Sequence, residues 1–278
     1  MRDTLTLRFL YRTVPGRALL KILVQPKVSG AAGFILSARV SKRLVPYYIR
    51  KHKIDMNGID IPAGGFSSFN DFFTRKRIME SFDLTPGHLI SPCDGFLTPV
   101  EIGREAVFSL KNTCYSLGEL LKDDNMAKRF EGGLALIFRL TPANYHRYCY
   151  AAEGYVIRSR KIPGKLHCVR PVALGTVPVF VQNSREYQAV VTDRFRTMVQ
   201  MEVGALLVGR IRNHRLSADA QYVQAGAEKG YFEFGGSTIV LLLQKDTVFL
   251  REALYQRMDE NGEMPVRMGE CVAQAKDQ

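Results

Sequence analysis

The sequence predicts an α+β fold: basic amphipathic helices over 1–60 docked on a mostly antiparallel β-sandwich over 61–278. Three observations carry that expectation. The first fifth of the chain alternates apolar and basic residues at helical spacing between prolines. From Leu89 onward the texture changes to short apolar, β-branched runs punctuated by Gly, Pro, Asn and Asp. One helical stretch, roughly Leu117 to Arg129, interrupts those runs, and such segregation of helices from strands marks α+β rather than alternating α/β architecture. With 46% hydrophobic and 24% charged residues, the chain has the composition to bury a sizeable core.

Between Pro15 and Pro26, Leu19, Ile22 and Leu23 share one helical face while Arg17 and Lys21 share another. Between Gly33 and Pro46, Leu36, Val40 and Leu44 fall on one arc, with Arg39, Lys42 and Arg43 off it. Residues 54 to 87 read as loop and short helix, with Gly64-Gly65 and Pro86-Gly87 as breakers. The predicted strands include Leu134 to Leu140, Gln188 to Thr192, Val199 to Ile211 and Ile239 to Leu243.

Charge is unevenly placed. Of the net +12, most lies between Met1 and Lys53, where twelve Lys and Arg face a single acid, Asp3. A near-neutral remainder excludes a nucleic-acid-coating protein. The apolar-and-basic helices instead fit a membrane interface, where each basic residue near anionic lipid contributes about 1 kcal/mol. A helical layer packed on the protein's own core, with a solvated basic face, gives the same pattern. No run reaches the roughly 18 apolar residues needed to span a bilayer, and no secretory signal is recognisable. Localisation is therefore expected to be peripheral, at the cytoplasmic face of a membrane. Five cysteines without Cys-x-x-Cys or zinc spacing argue for reduced thiols in a cytoplasmic setting.

Chemistry concentrates at Phe234-Gly235-Gly236-Ser237-Thr238-Ile239-Val240. The strand after Ser237 should be stiff and buried, while the glycines leave the preceding peptide free to bend. A bent peptide lets the serine hydroxyl attack the carbonyl before it; elimination from the resulting ester and hydrolysis leave a pyruvoyl ketone, an electron sink. By itself, Gly-Gly-Ser-Thr also reads as a tight turn entering a core strand. Self-cleavage would need a base, a group to orient it and donors for the oxyanion. Asp94 lies in Ser91-Pro92-Cys93-Asp94-Gly95, between apolar Leu89-Ile90 and Phe96-Leu97, where an ordinary Asp-Gly turn is the plain alternative. His146 lies in Thr141-Pro142-Ala143-Asn144-Tyr145-His146-Arg147-Tyr148, after a core strand, and reads equally as a base or as a hydrogen-bonded loop residue.

Several blocks together resemble the phosphatidylserine decarboxylase family, pyruvoyl-dependent lyases made as self-cleaving proenzymes. They are Phe69 to Arg75, Ser91 to Gly95, Tyr115-Ser116-Leu117, Tyr145-His146-Arg147, Val203-Gly204-Ala205 with Val208 to Ile211, Lys229 to Phe232, Gly236-Ser237-Thr238 and Val266 to Glu270. The resemblance implies cleavage between Gly236 and Ser237, giving a large and a small fragment that stay together as the active heterodimer. It implies a covalent pyruvoyl cofactor derived from Ser237, Asp94 in the relay that activates Ser237, and His146 assisting decarboxylation and proton return. The amine of phosphatidylserine would condense with the ketone as a Schiff base and leave as phosphatidylethanolamine, without metal or diffusible cofactor. Val266 to Glu270 resembles the return strand of a barrel-sandwich hybrid. Phe69 to Arg75, with Lys76 and Arg77, reads as a lipid-phosphate site or as a solvated basic loop.

One position departs from the family. The relay histidine three residues after the first is Cys149 here, and a thiol is a poor base for a serine hydroxyl. His167, in Lys165-Leu166-His167-Cys168-Val169-Arg170-Pro171, is the candidate replacement. Two other classes stay open: a non-catalytic membrane lipid-binding homologue that no longer matures, and a serine hydrolase using Ser237.

Overall fold

Prolines and polar caps cut the amino-terminal segment into short helices in the computed structural model, which describes residues 5–78, 81–110, 113–169, 171–206, 210–214, 220–234 and 237–276. Helix α1 runs Leu5–Arg12 and α2 runs Val14–Leu23. Thr13 caps α2, its side chain accepting from the Gly16 amide at 3.1 Å. Gly16 lets the two helices close up, since a Cβ there would lie 2.0 Å from the Phe9 carbonyl oxygen. Within α2 the core takes Leu20, while Leu19 and Ile22 are 46% and 61% exposed.

Helix α3, Pro26–Ser37, ends inside the expected Leu36-Val40-Leu44 arc. Ser37 Oγ bonds back to the Gly33 carbonyl, Ala38 turns extended, and Ser41 Oγ lies 2.7 Å from the Leu36 carbonyl. Polar side chains competing for backbone groups end the α-helix there, and Arg39–Leu44 continues as a tighter 3-10 turn. Helices α4 (Val45–His52) and α5 (Phe69–Phe73) then form an aromatic cluster around Tyr48, Phe69, Phe72 and Phe73.

The expected helical interruption is two helices, α6 (Leu117–Leu121) and α7 (Asp124–Lys128). Lys122 breaks them with a left-handed backbone, and the Asp123 side chain caps α7 by accepting from the Met126 amide.

Among the described residues, an antiparallel sheet of eight strands organises the body. In chain order these are β1 (Gly95–Glu101), β2 (Leu134–Leu140), β3 (Gly154–Ile162), β4 (Arg185–Thr192), β5 (Arg196–Gly204), β6 (Tyr222–Val223), β7 (Ser237–Leu243) and β8 (Met264–Val266). Their spatial order is β6-β3-β4-β5-β7-β2-β1-β8. The predicted run Val199 to Ile211 is not one strand: it ends with β5 at Gly204, and Ile211 starts the short strand Ile211–Asn213.

Strand β7 is buried at every position because both faces of the sheet are covered. Val240 and Leu242 pack with Tyr11, Leu20, Leu117 and Leu120 from the helices. Ile239, Leu241 and Leu243 pack on the other side with Leu89, Tyr148, Phe232 and Val266.

A charged pair lies inside that second face. Lys229 Nζ and Glu202 Oε2 are 2.5 Å apart with both side chains fully buried, and Asn213 Oδ1 accepts from Lys229 at 3.1 Å. Burial pushes the Glu202 carboxyl up and the Lys229 ammonium down, while the attraction between them works against both shifts. Lys229→Met leaves Glu202 buried alone and should cost about 3–5 kcal/mol in urea unfolding, whereas Lys229→Met with Glu202→Leu should recover most of it. A double variant no more stable than the single one would contradict this account.

Candidate active site

Ser237 is the first residue of β7, directly opposite Leu140 of β2 on one side and Gly204 of β5 on the other. Strand alternation turns its side chain toward the face that holds Ile239 and Leu241. The residue is fully buried, and its hydroxyl has no hydrogen-bond partner among the described residues. Gly235 and Gly236, and with them the expected Gly236 side of the cleavage site, lie outside the described residues. The approach to them is anchored: the Phe234 amide donates to Asn70 Oδ1 at 3.2 Å, and Phe234 packs edge-on against Phe73 of α5 at 5.0 Å.

His146 shares that aromatic box. Its ring stacks on Phe73 at 4.0 Å and its carbonyl accepts from the Phe232 amide. Both ring nitrogens are buried without a partner among the described residues. Burial, then the nearby Arg75 guanidinium, pull the imidazole down to about 3, with the Thr141 backbone working the other way. His146 is thus a neutral imidazole at pH 7, stacked on Phe73.

Asp94 stands at the start of β1, two strands and so roughly 10 Å from Ser237. Gly95 makes that turn possible, since a Cβ there would lie 2.7 Å from the Arg139 carbonyl oxygen. Arg77 clasps the Asp94 carboxylate through both terminal nitrogens, and the Met268 amide donates to it at 2.9 Å. Asp94 therefore makes no contact with Ser237. Cys149 is buried against the turn that carries Asp94, its amide bonded to the Pro92 carbonyl and its thiol 3.9 Å from the Ser91 carbonyl. A thiol is shorter than an imidazole, so the gap beside the Asp94 turn is closed by packing rather than bridged by a base.

His167 approaches by another route. Asn183 Nδ2 donates to the His167 carbonyl (2.8 Å) and to the carbonyl of Gly204 (2.7 Å), the cross-strand neighbour of Ser237. Asn183 Oδ1 in turn accepts from the His167 amide. The ring rests against Tyr11 of α1, with Nδ1 3.4 Å from the hydroxyl, and that hydroxyl also accepts from the Cys168 amide. Nε2 is buried without a partner among the described residues. Burial, then Lys165, lower this imidazole to about 4, opposed by the Gln182 side chain. Tyr11 and Cys168 belong to the core face of Val240, so His167 and Ser237 meet at the end of the sheet from opposite faces and do not hydrogen-bond.

Sequence reasoning assigned no role to Tyr11 or Asn183, and within the Phe69 to Arg75 block it gave none to Asn70 or Phe73 individually. Their partners are remote in the chain, so local pattern carries no signal for them. Asp83, His88 and Cys271 also place potential metal-ligand atoms within 4.8 Å of one another. Hydrogen bonds of His88 to Asp83 and to Gln274 already account for that cluster.

The sequence pattern of the phosphatidylserine decarboxylase family matches residues 69–274. The chain is 38% identical to phosphatidylserine decarboxylase proenzyme 2 of Clostridium acetobutylicum over 98% of its own length and 92% of that protein. It is likewise 38% identical to the proenzyme of Ruminiclostridium cellulolyticum, covering 98% and 91%, and 33% identical to one from Clostridium botulinum, covering 96% and 91%.

Two buried neutral imidazoles fix how stability depends on pH. Their folded values, about 3 and about 4, lie below the ordinary 6.5, so above pH 7 neither state binds a proton there. As pH falls below 6.5 the unfolded chain takes up protons first, and stability declines until the folded values are reached. Urea midpoints should fall between pH 7 and 5, and His146→Phe should fall less over that interval than the parent. An equal decline in both would rule out His146 as a contributor.

Proposed function

We propose that this chain, which belongs to the phosphatidylserine decarboxylase family and is a carboxy-lyase, cuts itself between Gly236 and Ser237 and then decarboxylates phosphatidylserine to phosphatidylethanolamine. The observation that carries the reading is the Ser237 hydroxyl, fully buried and without a hydrogen-bond partner among the described residues at the head of β7, in a chain that also buries the His146 imidazole in its neutral form. Buried polar atoms are nearly always satisfied, so several orphans at one end of a sheet point to groups waiting on a reaction.

In self-maturation the Ser237 oxygen attacks the carbonyl of residue 236 and the C–N bond breaks, leaving the two parts joined by an ester. Loss of the Ser237 α-proton expels the residue 236 carboxylate. The enamine left at 237 hydrolyses, releasing ammonia and a ketone. That keto group, once formed, supplies the electron sink for decarboxylation. The site fits it: the serine that becomes the ketone is fully buried with its hydroxyl unpartnered among the described residues, and no diffusible cofactor or metal is invoked. His146, neutral at pH 7, holds or returns the proton at the substrate carbon. His167, its backbone fixed by Asn183 and its ring set against Tyr11, is the base we assign for the hydroxyl proton that Cys149 cannot take, which requires the ring to swing around the end of the sheet from the opposite face. Asp94, clasped by Arg77, stiffens the turn on the far side of the site and completes the relay through electrostatics rather than contact.

Residues 1–60 form the membrane-contacting segment and 61–278 the catalytic body, a sandwich of barrel-sandwich-hybrid character. Leu5, Val14, Phe34 and Val40 are 84%, 73%, 80% and 64% exposed among basic neighbours, an apolar surface suited to lying in an anionic membrane interface. Among the described residues no single helix is long and apolar enough to cross a membrane, and there only α2 and α3 together, bent by 66°, pass by length and composition. We place the protein peripherally on the cytoplasmic face.

Mass spectrometry tests the whole reading. Wild-type protein should give two fragments, the smaller with a ketone-capped Ser237, and Ser237→Ala should stay whole. An intact wild-type chain would favour a non-maturing lipid-binding homologue, and labelling of Ser237 by a fluorophosphonate would single out a hydrolase.

Within the reading, His167→Ala should block cleavage while Cys149→Ala does not. Tyr11→Phe, which keeps the packing but removes the hydroxyl from His167 and Cys168, should slow cleavage roughly tenfold, about 1.4 kcal/mol. Normal maturation of His167→Ala on a denaturing gel would end the assignment of the base.

A further inference from the structure

Arg75 is the buried cation of the Phe69 to Arg77 block, and no carboxylate pairs with it among the described residues. The residue is 5% exposed, and Nε and Nη1 are buried without partners among the described residues. Nη2 reaches only the Asn144 carbonyl, at 3.4 Å, and the guanidinium lies 5.1 Å over the Phe72 ring. It forms part of the wall of a cavity of about 860 Å³ that Arg77, Asp94, Tyr145 and Arg257 also line. Of the other arginines on its wall, Arg77 is neutralised by Asp94 and Arg257 by Glu270 at 2.7 Å, while Arg251 and Arg267 are exposed to solvent, which leaves Arg75 as the buried guanidinium. Lys76, by contrast, is exposed, so the basic loop is not uniformly solvated.

A buried guanidinium with open donors needs an anion, and its planar fork suits two oxygens of one group. Arg75 is also electrostatically coupled to His146, the imidazole placed at the reacting centre. The substrate offers two oxyanions close to the carbon that loses carbon dioxide. A guanidinium on the carboxylate would stabilise the charge that must be lost and so raise the barrier. A phosphodiester keeps its charge throughout, and holding it positions the substrate without opposing the chemistry.

We infer that Arg75 is the subsite for the substrate's phosphodiester, so that the enzyme selects serine carrying that group over the free amino acid. The inference rests on the self-maturation reading above, because it needs the ketone at position 237.

The test uses full-length matured protein and borohydride trapping of two amines that lack acyl chains, glycerophosphoserine and L-serine. Arg75→Gln should trap glycerophosphoserine at least about tenfold less well than wild type, with L-serine within about twofold, and Arg75→Lys should fall between. Equal losses on both amines, or no loss on either, would overturn the subsite. Should Arg75→Gln fail to mature, wild-type protein decides: glycerophosphocholine, a phosphodiester that cannot condense, should compete with glycerophosphoserine trapping, and failure to compete overturns the inference. Wild-type protein that stays uncut defeats the maturation reading and this inference together, whereas matured protein indifferent to phosphodiesters defeats this one alone.

Discussion

A strand with no exposed residue governs this molecule. Ser237–Leu243 can be buried at every position only because helices cover one face of the sheet and the Tyr148 and Phe232 layer covers the other. Its first residue is a serine, so the same burial that stabilises the core also strips water from a hydroxyl. Desolvation without a partner is costly for a polar group, and the fold tolerates it at Ser237, Thr238 and His146 within one region. What holds that region in shape is satisfied elsewhere. Gln200 bonds the Cys149 carbonyl, and Lys229 with Glu202 ties the strand leading to Phe234 against β5. The polar network sits on the same face as Ser237, and so rigidity is placed next to the unsatisfied groups.

The amino-terminal helices are structurally coupled to that region. Tyr11 reaches from α1 to His167 and Cys168, and the Val24 carbonyl accepts from the Leu166 amide just after α2. The same helices carry much of the exposed apolar surface. An element that faces outward with Leu19 and Ile22 therefore faces inward with Leu20 and Tyr11, and whatever steadies it outside also steadies the His167 loop.

Sequence reasoning reached the α+β class, the strand Leu134–Leu140 to the residue and the body of β7 as Ile239 to Leu243, two residues short of its start at Ser237, because long apolar runs leave little choice of period. It missed breaks that single polar residues impose: Ser41 ending the helical arc, Lys122 and Asp123 splitting the 117–129 helix. Site residues divide along the same line. Ser237, Asp94, His146 and His167 stand in recognisable blocks, but their neighbours in the fold differ. Their actual partners were not legible, since Arg77 for Asp94, Tyr11 and Asn183 for His167 and Phe73 for His146 are joined by folding alone. Cys149 was legible as a departure, but only the structure shows it packed against the Ser91–Pro92 turn.

The position of β7 between β5 and β2 bears on what severing the chain ahead of Ser237 would do. The downstream piece would contribute an interior strand, β7, and an edge strand, β8, on either side of β2 and β1, so it is woven through the other piece. Such halves have no docking surface to separate along; parting them means dismantling the sheet. A nick there would create a new chain end without creating a dissociable subunit, and mixing two differently marked preparations would yield no hybrids.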